Sequence, residues 1–171
     1  HKNKKLFFIY GWAFGFGYFV SNLYWISISL TFDQNYKFLI PLTLILIPTF
    51  LAIFYGLISF LFLISKPKNI VSSFFIFSLI FGVLEFVRGS ILTGFPWNLV
   101  AYSFSNQLEL LSITSIIGTY GFNLFCISLF TSPAIFILRN SNKDIAVFVF
   151  FLIIIVFFYN YGSFYKKKFN L

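Results

Sequence analysis

Five long apolar runs, separated by short polar connectors, set the pattern of this chain. They cover about 6–30, 38–64, 70–87, 120–138 and 145–161, and the second carries Pro41 and Pro48. The connectors read TFDQNYK at 31–37, SKPKN at 65–69 and RNSNKD at 139–144. Crossing a hydrocarbon layer of roughly 30 Å takes about 20 helical residues, which each run supplies. Lipid offers no partner to a free backbone N–H or C=O, so runs of this kind close their hydrogen bonds internally as helices. The pattern predicts an all-α fold, a polytopic transmembrane helical bundle of about five spans over residues 1–161.

The stretch 89–119 breaks the pattern. It carries Glu109 as its only charge, too few polar residues for a loop in water. It is expected at the membrane surface, packed on protein, with a short helix at 108–116 that ends near Gly118. GTYG at 118–121 is expected to bend the chain before the fourth span. GFPW at 94–97 concentrates backbone specialists: Gly94 permits unusual angles, and Pro96 fixes its own φ and restricts Phe95.

Composition strengthens the membrane reading. Of 171 residues, 60% are hydrophobic and 9% charged, against about 25% charged in soluble domains. The net charge of +8 is gathered in clusters at the edges of the runs, which reads as a topology signal and excludes a nucleic-acid stripe. Lys2, Lys4, Lys5, Lys66, Lys68, Arg139 and Lys143 fall on one side; Lys37 and Lys166–Lys168 fall on the other, with Arg88 near its edge. This bias places the amino terminus and the 65–69 and 139–144 loops in the cytoplasm, and GFPW and the carboxyl end outside. The basic tail 162–171 argues in the opposite sense unless it leads into a translocated domain. The basic start and apolar 6–20 lack a signal-peptide cleavage site, and a first residue of His reads as an excised or truncated piece.

Candidate chemistry is sparse. Glu85 and Arg88 share a helix face three residues apart. A charge at a bilayer centre costs about 2.5–3.5 kcal/mol on insertion scales, so near a helix end these two are expected to pair or snorkel. They form either a structural ion pair or a polar patch for a lipid headgroup or an attached domain. Gly11 and Gly15 make a small-residue face for close helix packing. Trp25 is an interface aromatic with a possible substrate role. Trp97 is either an anchor at headgroup depth or the wall of a lipid-accessible site. The single cysteine, Cys126, lies inside an apolar helix with no base beside it, which suits a core residue and not a nucleophile. His1 is terminal. No metal-ligand spacing and no phosphate loop occur, so neither metal nor cofactor is expected, and Asp33, Glu85, Glu109 and Asp144 are too scattered for a carboxylate pair.

GWAFGFGYFVSNLYWISISL at 11–30, LEFVRGSILTGFPWNLVAYS at 84–103 and LLSITSIIGTYGFNLF at 110–125 resemble, in that order, membrane segments of bacterial apolipoprotein N-acyltransferases. The resemblance covers about 11–138. It implies an enzyme of the bacterial inner membrane that moves an acyl chain from a phospholipid to the amino-terminal diacylglyceryl-cysteine of a lipoprotein. In that family a Glu-Lys-Cys triad in a periplasmic nitrilase-like domain does this through a thioester, and eight spans surround it. Two leading spans, the nitrilase-like domain and a last span are not found in this sequence, and Cys126 matches a membrane helix. The fragment alone is therefore expected to be inactive, with no catalytic residue. Trp25, Glu85, Arg88, Gly94, Phe95, Pro96 and Trp97 would lie near lipid substrate on the side facing the catalytic domain. The competing reading is a non-enzymatic membrane scaffold or small transporter subunit. A transporter should show inverted repeats or broken helices at midplane, and none is visible.

Overall fold

The computed structural model describes residues 2–91, 94, 96–138 and 141–169. Among these every regular element is helical: α1 (Lys2–Leu23), α2 (Ile40–Ser65), α3 (Ile70–Ser90), the short α4 (Leu108–Leu111), α5 (Thr114–Leu138) and α6 (Ile145–Phe169), with short 3-10 segments between them. Five of the stretches are long and apolar enough to cross a membrane, so the bundle predicted from the apolar runs is the fold observed. The chain divides into two compact units. The first is 1–66 with 91–94, and the second is 67–90 with 95–171.

In the first unit α1 and α2 pack antiparallel. A side chain at Gly11 would collide with Ser59 and the Tyr55 carbonyl, and one at Gly15 with the Tyr55 ring. The two glycines therefore set how closely the helix backbones approach. Phe19 and Ala52 are fully buried beneath that contact, and the Trp12 indole donates to the Thr49 carbonyl at 3.1 Å. The first apolar run does not stay α-helical to its end. From Tyr24 to Thr31 it tightens into a 3-10 segment, where Ser27, Ser29 and Thr31 hydroxyls bond carbonyls three residues back. Such local bonds compete with the α-helical ladder. Pro41 sits in the first turn of α2, where its missing N–H costs nothing. Lys66, left-handed at φ 43°, closes α2 before Pro67 stops it.

In the second unit Asn69 begins α3 by accepting from the Ser72 amide at 2.8 Å. α3 packs on α5, and α6 packs on α4 and α5. The core is aromatic: Phe125 and Phe158 rings lie 4.7 Å apart and Phe74 meets Phe151 edge-on at 5.4 Å. Lipid removes most of the hydrophobic drive between helices, so such ring pairs, about 0.5–1.5 kcal/mol each, carry more of the packing. Gly118 adopts φ 72°, ψ 166°, a conformation essentially confined to glycine. The bend expected before the fourth span is therefore real, although the surface helix is two pieces, Leu108–Leu111 and the turn from Thr114. α6 runs on through Lys166–Lys168 to Phe169, so most of the basic tail is the last part of a helix.

Candidate functional site

Glu85 and Arg88 lie on one face of the last turns of α3, and the fold turns that face inward. Both side chains are nearly inaccessible, at 1% and 2% exposure. Their pairing is direct, with Arg88 Nη2 donating to Glu85 Oε2 at 2.7 Å. Of the two outcomes open to them, pairing is observed and snorkelling is not. The other arm of the guanidinium reaches forward along the chain, and Nη1 donates to the Trp97 carbonyl at 2.9 Å. One buried cation thus ties a helix end to the loop that follows it. Trp97 as a residue stays half-exposed at 52%.

The loop beyond Trp97 turns at once. Asn98 is left-handed at φ 60°, a region that Asn tolerates better than most side chains. Leu99 and Ala101 then drop into the interior as the 3-10 segment Val100–Phe104 forms. Asn123 of α5, fully buried, accepts the Ala101 amide at 3.0 Å through Oδ1. Two charge-assisted or amide hydrogen bonds, from Arg88 and to Asn123, therefore fix both ends of 97–101 in an apolar setting where an unmet backbone group is costly. Among the described residues, Glu85 Oε1 and Asn123 Nδ2 are buried and meet no hydrogen-bond partner. Tyr102 adjoins the same region; burial first, then Tyr120, raises its phenol above the ordinary value, and Arg88 opposes them. Tyr102 is consequently a neutral hydroxyl at physiological pH.

The structure thus joins Glu85, Arg88 and Trp97. Pro96 belongs to the same unit. Gly94 and Trp25 belong to the first unit, and Phe95 lies outside the described residues. Gly94 has the positive φ its identity suggested, 72°, and its amide reaches the Ile91 carbonyl at 2.9 Å. Trp25 is 43% exposed within the 3-10 segment that follows α1. Asn123 was not foreseen as part of the site. Its signal was available, since an amide in the middle of GFNLF is an expensive residue to place inside a membrane helix. Cys126, one helical turn further on, is fully buried and free.

Residues 1–132 match the model of the apolipoprotein N-acyltransferase N-terminal domain. This chain belongs to the apolipoprotein N-acyltransferase family. Curated relatives include the apolipoprotein N-acyltransferases of Rhodopseudomonas palustris, 37% identical over 134 residues, and Rhizobium etli, 34% identical over 137. That of Rickettsia prowazekii is 37% identical over 124 residues. These alignments cover 77%, 80% and 72% of this chain, but only 25%, 26% and 25% of the relatives. The chain therefore spans about a quarter of the length of the acyltransferases it matches. No solved structure matches it. The family match contains the Arg88–Trp97 loop and Asn123, and it stops short of α6.

Proposed function

We propose that these residues are the membrane-embedded platform of an enzyme that transfers an acyl chain from a phospholipid to the amino-terminal diacylglyceryl-cysteine of lipoproteins. The platform lies in the bacterial inner membrane, with GFPW at the outer face. The observation that carries this reading is the buried Glu85–Arg88 pair gripping the Trp97 carbonyl while Trp97 as a residue remains half-exposed. A rigidly held loop with an outward aromatic presents a shaped, amphipathic surface to a lipid. Phospholipid donor and lipoprotein acceptor would meet over that surface, under a nitrilase-like domain that carries the nucleophile. Cys126 is not that nucleophile in this reading, because a thiol sealed in a helix core has neither water nor a base to make it a thiolate.

The test is a chimera in which residues 1–132 replace the matching segment of the Rhodopseudomonas palustris relative. Acyl transfer from phospholipid to a diacylglyceryl-cysteine peptide is measured per inserted molecule. The chimera should turn over, Trp97→Ala should lower its rate several-fold at equal abundance, and Cys126→Ser should not. An unchanged rate per molecule in Trp97→Ala would make the loop a membrane anchor only. Residues 1–171 alone should give no transfer above a protein-free control.

A further inference from the structure

We propose that the first unit binds an anionic phospholipid at the end where α1 begins and α2 finishes. Its phosphate rests on Lys4 and Lys5, and one acyl chain lies between the helices. A groove of about 430 Å³ opens there, walled by Lys4, Lys5, Phe8 and Ile9 of α1 and by Leu57 and Phe60 of α2. That volume is within the roughly 300–1,000 Å³ of small-molecule sites. The lining is almost wholly apolar: Phe8, Ile9, Leu57 and Phe60 with the hydrocarbon stems of Lys4 and Lys5, whose charged ends stand beside the groove and not within it.

Charge decides the occupant. Among the described residues the ion pairs are Glu85–Arg88 and Glu109–Lys166, neither of which involves this groove. The first unit has one acidic residue, Asp33, and it lies at the opposite end of the antiparallel helix pair, capping the 3-10 segment before α2. Lys66, exposed at the close of α2, adds a further cation at the groove's end of the pair. A soluble anion would leave the apolar trough unused, and a zwitterionic lipid would bring a cation of its own to the lysines. A lipid of net negative headgroup satisfies both the apolar trough and the lysine charges beside it.

The test uses the whole chain in neutral detergent micelles, with fluorescent phosphatidylglycerol and phosphatidylcholine as probes. Lys4→Gln with Lys5→Gln should weaken phosphatidylglycerol about twenty-fivefold, from about fivefold per lysine near an anionic headgroup, and leave phosphatidylcholine nearly unchanged. Leu57→Trp, which fills the groove and alters no charge, should also abolish the preference. Circular dichroism checks that each variant keeps its helices. Three results would each overturn the proposal. One is an equal loss in Lys37→Gln with Lys167→Gln, meaning diffuse charge. Another is full binding in Leu57→Trp. The third is disulfide dimerisation through Phe60→Cys in a Cys126→Ser background without added lipid, meaning that a second copy fills the groove.

Discussion

Among the described residues, the buried side chains of the first unit are apolar or aromatic, whereas the second unit also buries Ser78, Glu85, Arg88, Asn123, Ser128 and Ser132. The difference follows the backbone. The irregular stretch of the first unit, 24–39, buries none of its 3-10 residues and satisfies itself through serine and threonine hydroxyls. The irregular stretch of the second unit runs inward through Leu99, Ala101, Leu110 and Ile113. Non-helical backbone at depth survives only where protein groups meet its hydrogen bonds, and Arg88 and Asn123 do so. Two helices alone need small residues and shape; a folded-in loop needs polar partners, whose desolvation the rest of the core has to offset.

The sharpest way to break this comparison is Arg88→Ala. It leaves Glu85 buried without its cation and the Trp97 carbonyl without its donor, and removing one partner of a buried pair costs about 3–5 kcal/mol. Thermal unfolding in detergent should show a large drop, with Trp97 fluorescence becoming more open to a soluble quencher. The double change Glu85→Gln with Arg88→Gln should cost less than Arg88→Ala alone, because no unpaired charge remains. Equal costs would mean that the pair does not hold the loop.

The first unit is broken by volume. Gly15→Leu drives a side chain into Tyr55, and overpacking of this kind costs up to about 3 kcal/mol. The effect should appear as loosened α1–α2 contact, read as faster hydrogen exchange at Ala52, which is fully buried at that contact. The substitution should leave hydrogen exchange at Ala101 unchanged. Asn123→Ala is its counterpart in the second unit. It strands the Ala101 amide for about 1–2 kcal/mol and should speed exchange at Ala101 without altering exchange at Ala52.

Much of this was legible in the sequence, for identifiable reasons. Apolar run length marks a span directly, so five spans and their approximate positions follow from 6–30 through 145–161. Gly118 and Gly94 announced backbone that other residues avoid, and i,i+3 spacing brought Glu85 to Arg88. The reach of Arg88 to Trp97 was not legible, because the turn at Asn98 and the inward drop of Leu99 are set by tertiary packing. Neither was the change to 3-10 geometry at Tyr24, where serine hydroxyls compete with the helix. The contacts of the tail were not legible either. Lys166–Lys168 read as a basic extension, yet Lys166 lies one turn beyond Gly162, and both face α4 across a gap of more than fifty residues in sequence.

That contact gives the finest test of how a surface segment is tied down. Gly162 lets the Glu109 carbonyl approach so closely that any side chain there would collide with it. Lys166 Nζ meanwhile reaches Glu109 Oε1 at 2.9 Å, with the two side chains 44% and 21% exposed. The Lys166 hydrogen bond, followed by one from Glu109's own backbone, holds this carboxyl below its ordinary range. A carboxyl depressed in the folded state binds its proton more weakly there than when released. Its contribution is therefore complete above the ordinary carboxylate value of about 4.3 and fades as pH falls through the depressed one. Exchange of the 108–111 amides, corrected for intrinsic rates, should be flat from pH 8 to 5 and rise in more acid solution. Glu109→Gln should remove that acid step, and high salt should mimic it only in part, since the pair is half-sheltered. Gly162→Ala should raise exchange at every pH, because it displaces the backbone and not the charge. An acid step that persists in Glu109→Gln would show α4 to be held by the Gly162 contact and buried Leu110 alone, with the ion pair a bystander.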